Sequence, residues 1–210
     1  MTNAARLKAG LITALGQLLR PYGFRANKSQ QCFSRKVPIG ELVLHLSFSR
    51  FSGRLDVALD FAIQSRMLKE ALASAGRLHY GASSIGAEIG SLFEGKPARW
   101  RLETDSDVEA VALDMRDAYL SRILPFGDER DSEESLVSDL TSDSPFLLIA
   151  PFLVDRCLAR IALELRLNGP GSARAAYEHS RQLLSAVSKY EQEEFEVYAS
   201  RRLVMAFRTP

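Results

Sequence analysis

Residues Gly90-Ser91-Leu92-Phe93-Glu94-Gly95-Lys96 carry the glycine and lysine spacing of a loop that cradles phosphate. Such a loop continues into a hydroxyl that helps hold magnesium, and here Pro97 stands in that place. Glu94 also sets a negative charge where backbone amides would receive the phosphate, and no buried strand leads in, so a nucleotide site is not expected. Gly81-Ala82-Ser83-Ser84-Ile85-Gly86 resembles a nucleophile elbow, but its second glycine comes one residue late. A small hydrolase using His79 with Ser83 or Ser84 is therefore an alternative, and a glycine-rich loop is the simpler reading.

Three separated histidines and two distant cysteines offer no paired ligand spacing, so no metal and no cofactor is expected. Asp105-Ser106-Asp107-Val108-Glu109 begins like a calcium loop but lacks the turn glycine and distal glutamate, and helix capping explains its acids more simply. Asp56 and Asp60 share one strand face, where two carboxylates could do acid/base work or merely solvate an open sheet. Residues 1 to 40 hold seven basic residues and no acid, with Tyr22, Phe24 and Phe33 among them. Such a segment could contact nucleic acid through phosphates, although both phenylalanines fall where a core needs them.

The elements that must position these groups follow from periodicity. Leu7, Leu11, Leu15 and Leu18 or Leu19 mark one face of an amphipathic helix, with Asn3 as its expected cap and Pro21 near its end. Gly23 suits the turn that follows, and Phe24 returns toward the core. Cys32 to Lys36 reads as a first short strand. Leu42, Leu44, Leu46 and Phe48 alternate with Val43, His45 and Ser47, and Leu55, Val57, Leu59, Phe61 and Ile63 alternate with Asp56, Ala58, Asp60 and Ala62. The two runs predict a hairpin around a loop from Ser49 to Gly53.

Met67 to Ala75 predicts a short helix and Trp100 to Leu102 a strand. Thr104 with Asp107 and Ser106 with Glu109 both have capping-box spacing, ahead of a helix from Asp107 to Ile123 that Pro125 should stop. Asp128 to Glu134 reads as a solvated loop before a helix near Leu140. Phe152, Leu153, Cys157, Ile161 and Leu165 then line one helix, ended by Asn168-Gly169-Pro170-Gly171. Ser172 is placed to cap a second helix containing Tyr177, Leu183, Leu184, Val187 and Tyr190, and Phe195 to Phe207 predicts a third.

With 210 residues, 46% hydrophobic and 25% charged, the chain has ordinary globular composition, which excludes wholesale disorder. No apolar stretch approaches the roughly 20 residues that span a bilayer, since even Phe146 to Val154 is broken by Pro151. The opening residues lack the apolar region of a secretion signal, and the expected compartment is the cytoplasm. Residues 101 to 145 hold thirteen acids against four arginines, opposite in sign to the N-terminal segment. These segments either attract separate partners or neutralise each other within the fold.

The succession of leucine-rich helix, Gly23-Phe24, Phe33-Ser34-Arg35, hairpin, Ile89-Gly90-Ser91-Leu92, Trp100 and Leu124-Pro125-Phe126 resembles an uncharacterised bacterial domain-of-unknown-function family over about residues 5 to 140. Some such families are thought to include immunity proteins that neutralise toxins. The resemblance implies protein binding and no catalytic residues.

The sequence thus predicts an α+β protein: an antiparallel sheet with helices packed on one face, followed by a C-terminal helical hairpin. The expected division is an α+β domain over residues 1–145 and a helical extension over 146–210 packed on it, with one single domain as the alternative. Its expected role is binding another protein through the open sheet face bearing His45, Asp56 and Asp60 or the acidic stretch with Asp128, Glu129 and Asp131. Trp100 and Tyr119 are candidate aromatic anchors for such a contact, although a Trp100 that simply fills the core is the simpler reading.

Overall fold

The computed structural model describes residues 2–51, 54–73, 84–90, 95–141 and 153–207, with only the backbone described for 71–73, 84 and 201–207. The Ser91 to Glu94 stretch of the phosphate-loop spacing, His79, Ser83, Phe146 and Phe152 lie outside the described residues. The chain divides into two compact units, residues 1–63 with 86–129 and residues 64–85 with 130–210.

The first unit opens with α1 (Asn3–Leu19), whose Leu7, Leu11, Ile12, Leu15 and Leu19 are buried. Its cap is Thr2, not Asn3: the Thr2 hydroxyl accepts the Ala5 N–H at 3.3 Å. Asn3 instead accepts a hydrogen bond from the Arg6 guanidinium at 2.7 Å. A 3-10 turn through Arg20–Tyr22 closes on Gly23, whose φ of 84° is the left-handed conformation glycine adopts without strain.

Six strands follow among the described residues: β1 (Arg25–Asn27), β2 (Cys32–Val37), β3 (Gly40–Phe51), β4 (Arg54–Ser65), β5 (Ser84–Glu88) and β6 (Trp100–Leu102). They form one sheet in the order β1-β2-β3-β4-β5, with β6 also paired to β4. Cys32 to Lys36 is therefore the second strand, because Arg25–Asn27 pairs antiparallel along it first. The hairpin strands also outrun the sequence reading, since Ser49 to Phe51 are strand rather than loop. The Arg54 guanidinium lies 5.4 Å from the centre of the Phe51 ring, a cross-strand contact that favours this extension.

Alternation sets the inner face of the sheet. Phe33, Leu42, Leu44, Leu46, Leu55, Val57, Leu59, Phe61 and Ile63 are all buried. Against them lie α1, α3 (Asp105–Ala118), a π turn (Tyr119–Ile123) and α4 (Leu124–Asp128). Phe126 meets Phe61 edge-on at 5.1 Å between ring centres. The cap of α3 uses the expected pair, for the Asp107 carboxylate accepts the Thr104 and Glu103 N–H groups at 2.7 and 2.8 Å. Those backbone hydrogen bonds hold the Asp107 carboxyl below its ordinary pKa.

Pro125 does not stop this helical run. The chain widens into the π turn, where the Leu124 N–H reaches the Tyr119 carbonyl, and Pro125 then occupies the first turn of α4. Proline is tolerated there because a first-turn N–H needs no helical partner.

The second unit contains α2 (Arg66–Ala73), α5 (Glu133–Asp139), α6 (Leu153–Leu167), α7 (Pro170–Leu184) and α8 (Lys189–Phe207). Small residues Ala173, Ala176 and Ser180 of α7 are buried, which lets α6 approach closely with Cys157, Leu158 and Ile161. The hairpin is joined by α8, whose Phe195 stacks on Tyr177 with ring centres 5.7 Å apart. Ser172 lies inside α7, which begins at Pro170 after Gly169. Tyr190 belongs to α8 and is exposed, so it does not extend the second helix as expected.

The stretch after Asp128 is not wholly solvated either. Arg130 is buried and donates from Nε and from a terminal nitrogen to the two oxygens of Asp139 at 2.5 and 3.0 Å. This forked pair ties the segment before α5 to the end of that helix.

Leu44→Ala should destabilise the protein by about 2–5 kcal/mol in denaturant unfolding, since it opens a cavity under the sheet. Asp139→Asn should cost about 3–5 kcal/mol by the same measurement, because it removes one charge from a buried, forked ion pair.

Candidate functional site

On the side of the sheet opposite the leucines, β3 presents His45 and Ser47 two residues apart, and β4 presents Asp60 beside them. The Ser47 hydroxyl donates to Asp60 Oδ2 at 2.5 Å. His45 Nδ1 lies 3.5 Å from the same oxygen and 3.3 Å from the Ser47 hydroxyl. Thus one carboxylate oxygen organises two polar side chains, and both come from rigid neighbouring strands. The His45 side chain is 45% exposed and that of Asp60 35%, so the group is open to a partner while resting on a fixed base.

The strand register adds Cys32 to this face, as the direct cross-strand partner of His45. Its thiol pKa is raised by burial and then by the charge of Glu41, which disfavours the reactive thiolate. Asp56 stands apart from the His45 group: its carboxylate pairs with Arg54 Nε at 3.2 Å, and it lies opposite Arg101 of β6. The sequence-level pairing of Asp56 with Asp60 as joint acid and base therefore separates into two environments.

The acidic residues are distributed otherwise. Asp128 closes α4 and pairs with Arg35 at 3.0 Å, on the inner side of the sheet, since Arg35 lies opposite Leu42 in the register. Glu129 is an exposed residue of the same unit, whereas Asp131 is an exposed residue of the second unit. Part of the expected charge imbalance is neutralised internally, because Arg6 pairs with Asp105 as Arg35 does with Asp128. Tyr119 is fully buried and so is no surface anchor, while Trp100 is partly exposed and donates its indole N–H to Asp114 at 2.6 Å.

The phosphate-loop spacing also acquires a structural account. A strand, β5, does lead into it, with Ile85 buried but Gly86 to Glu88 only half-buried. At Gly90, however, a Cβ would lie 2.3 Å from the Ala98 backbone nitrogen, so only glycine permits that crossing. Glu88 accepts the N–H groups of Gly90 and Ala98 at 3.0 and 3.2 Å, placing a carboxylate where a phosphate would need to bind. Among the described residues no cluster of histidine, cysteine and acidic side chains is arranged to hold a metal. No helix among them is long and apolar enough to cross a membrane.

Sequence reasoning passed over Ser47 as a site residue. Its signal was the two-residue spacing from His45, which puts both on one strand face. Compared with known protein families, curated proteins and solved structures, the chain matches none.

A double-mutant cycle on Ser47→Ala and Asp60→Ala should give a coupling of about 0.5–1.5 kcal/mol in unfolding free energy. Coupling indistinguishable from zero in that cycle would show that the hydroxyl and the carboxylate act independently.

Proposed function

We propose that the chain is a protein-binding module whose contact surface is the sheet face carrying His45, Ser47 and Asp60. The observation that supports this is the shared Asp60 oxygen: it fixes two neighbouring polar side chains before any partner arrives, while leaving the imidazole half exposed. Groups held in place by strands lose little freedom on binding, which favours recognition. Val43 lies on the same face one step along β3 and supplies apolar area next to the polar centre.

The geometry favours binding over Ser-His-Asp hydrolysis. In that chemistry the imidazole stands between serine and carboxylate and takes the serine proton. Here the Ser47 proton goes directly to Asp60, and a single imidazole nitrogen faces both groups. An immunity-like inhibitor of a basic partner is the specific form of this reading, supported by the acid excess of residues 101 to 145.

A photo-crosslinking residue placed at Val43 in the native host should trap one discrete polypeptide, and the same residue at Glu109, on α3, should not. Asp60→Ala should reduce the Val43 adduct about tenfold, equivalent to about 1.4 kcal/mol of binding. Equal adduct patterns from both positions, or none from Val43, would rule the surface out.

A further inference from the structure

We infer that Arg35 and Tyr119 form a receptor for a carboxylate group, presently engaged in part by the chain's own Asp128. The guanidinium of Arg35 is drawn beneath the sheet edge, with its side chain only 19% exposed and its carbon 5.8 Å from the centre of the Phe24 ring. A planar guanidinium offers two parallel N–H groups along one edge, matched to the two oxygens of a carboxylate. Asp128 uses this edge incompletely: one of its oxygens takes a terminal nitrogen at 3.0 Å, while Arg35 Nε is buried with no hydrogen-bond partner.

Tyr119 supplies a second unsatisfied group. Its ring is fixed edge-on by Phe24 at 5.2 Å and Tyr22 at 6.1 Å, and its hydroxyl is buried without a partner. Phe24 lies against both the Arg35 guanidinium and the Tyr119 ring, and Asp128 pairs with Arg35, so all three groups share one locality. Burial first, then the Asp128 charge, pushes the pKa of the Tyr119 hydroxyl up to about 12, and at neutral pH it is a hydrogen-bond donor. The residue also begins the π turn, a backbone feature frequent at functional sites.

Two buried polar groups left unsatisfied around one aromatic ring are rare in a folded protein. A carboxylate seated on the Nε edge satisfies the guanidinium with both oxygens and accepts the Tyr119 hydroxyl. Asp128, with 62% of its side chain exposed, can turn to solvent at little cost when that happens. Because Arg35 lies on the inner side of the sheet and His45 on the other, this site is independent of the surface proposed above.

The test is a titration of the full-length protein with sodium acetate, against sodium chloride at matched ionic strength, observing the Arg35 Nε–H resonance by NMR. A saturable shift seen with acetate alone is expected. Asp128→Asn should tighten the apparent affinity about two- to five-fold by removing the internal competitor, whereas Glu109→Gln, an equal change of charge on α3, should leave it unchanged. Tyr119→Phe, which removes only the hydroxyl, should weaken it about five-fold. Tighter binding of an end-blocked Gly-Glu-Gly peptide than of acetate would assign the carboxylate to a protein side chain, and the reverse order to a small acid. The inference is overturned if the resonance does not respond, if Asp128→Asn and Glu109→Gln behave alike, or if Tyr119→Phe binds acetate as well as the native protein does.

Discussion

Everything described in the first unit depends on the two-residue period of β3 and β4. Leu42, Leu44 and Leu46 on one strand and Leu55, Val57, Leu59, Phe61 and Ile63 on the other turn to the same side and are buried there. A slip of one residue in either strand would carry a whole set of apolar side chains into water, so register is strongly specified. Burial of that set is also the main source of stability, at roughly 1.5–3 kcal/mol for each fully buried large side chain. The polar face is a consequence of the same alternation. His45, Ser47 and Asp60 are brought together because the leucines on either side of them must face inward.

Charge has a secondary part in holding the fold. The exposed pairs, such as Arg6 with Asp105 and Lys189 with Glu193, each contribute about 0–1 kcal/mol and weaken with salt. Their effect is on orientation: Arg6 and Asp105 set the starts of α1 and α3 side by side. Arg130 and Asp139 differ because they are buried, where a forked pair specifies one geometry and tolerates no missing partner. In the three-helix part of the second unit the same division holds. Tyr177 is stacked on Phe195 and donates its hydroxyl to Glu196 at 2.7 Å, and Arg181 reaches Glu196 at 3.0 Å from the solvent side.

The fold class, the hairpin, the capping box of α3 and the C-terminal helices were legible in the sequence because each rests on local spacing. Misreadings occurred where a tertiary partner changed the local rule. A proline would end a regular α-helix, but at Pro125 the π turn before it removes the conflict, and no residue type announces such a turn. Arg130 sits among acids and serines and reads as solvated, although Asp139, nine residues on, draws it inside. Other signals were present and missed. Ser188 and Glu191 have capping-box spacing and hydrogen-bond reciprocally, with Ser188 N–H to Glu191 at 3.2 Å and Glu191 N–H to Ser188 at 3.3 Å, which starts α8 before Phe195. For the candidate site, the face shared by His45 and Ser47 follows from the period, but the approach of Asp60 needs the register of the hairpin, which the expected loop from Ser49 to Gly53 misplaces because β3 runs on to Phe51.

The two sides of the sheet therefore meet the same requirement in different ways. A polar group outside the core keeps water as an alternative partner, so the Ser47–Asp60 bond organises side chains without being demanded by burial. A polar atom buried on the inner side has no such alternative. Arg35 stands in register with Leu42, where alternation calls for an apolar residue, and its aliphatic stem and the face of Phe24 accommodate all but the charged end. Asp128 answers the charge but not the geometry of that end, and Tyr119, turned inward by the helical run it belongs to, brings a further unsatisfied hydroxyl. An apolar residue at position 35 would satisfy the core more simply, so the cost of retaining an arginine points to a use for the guanidinium beyond holding the sheet together.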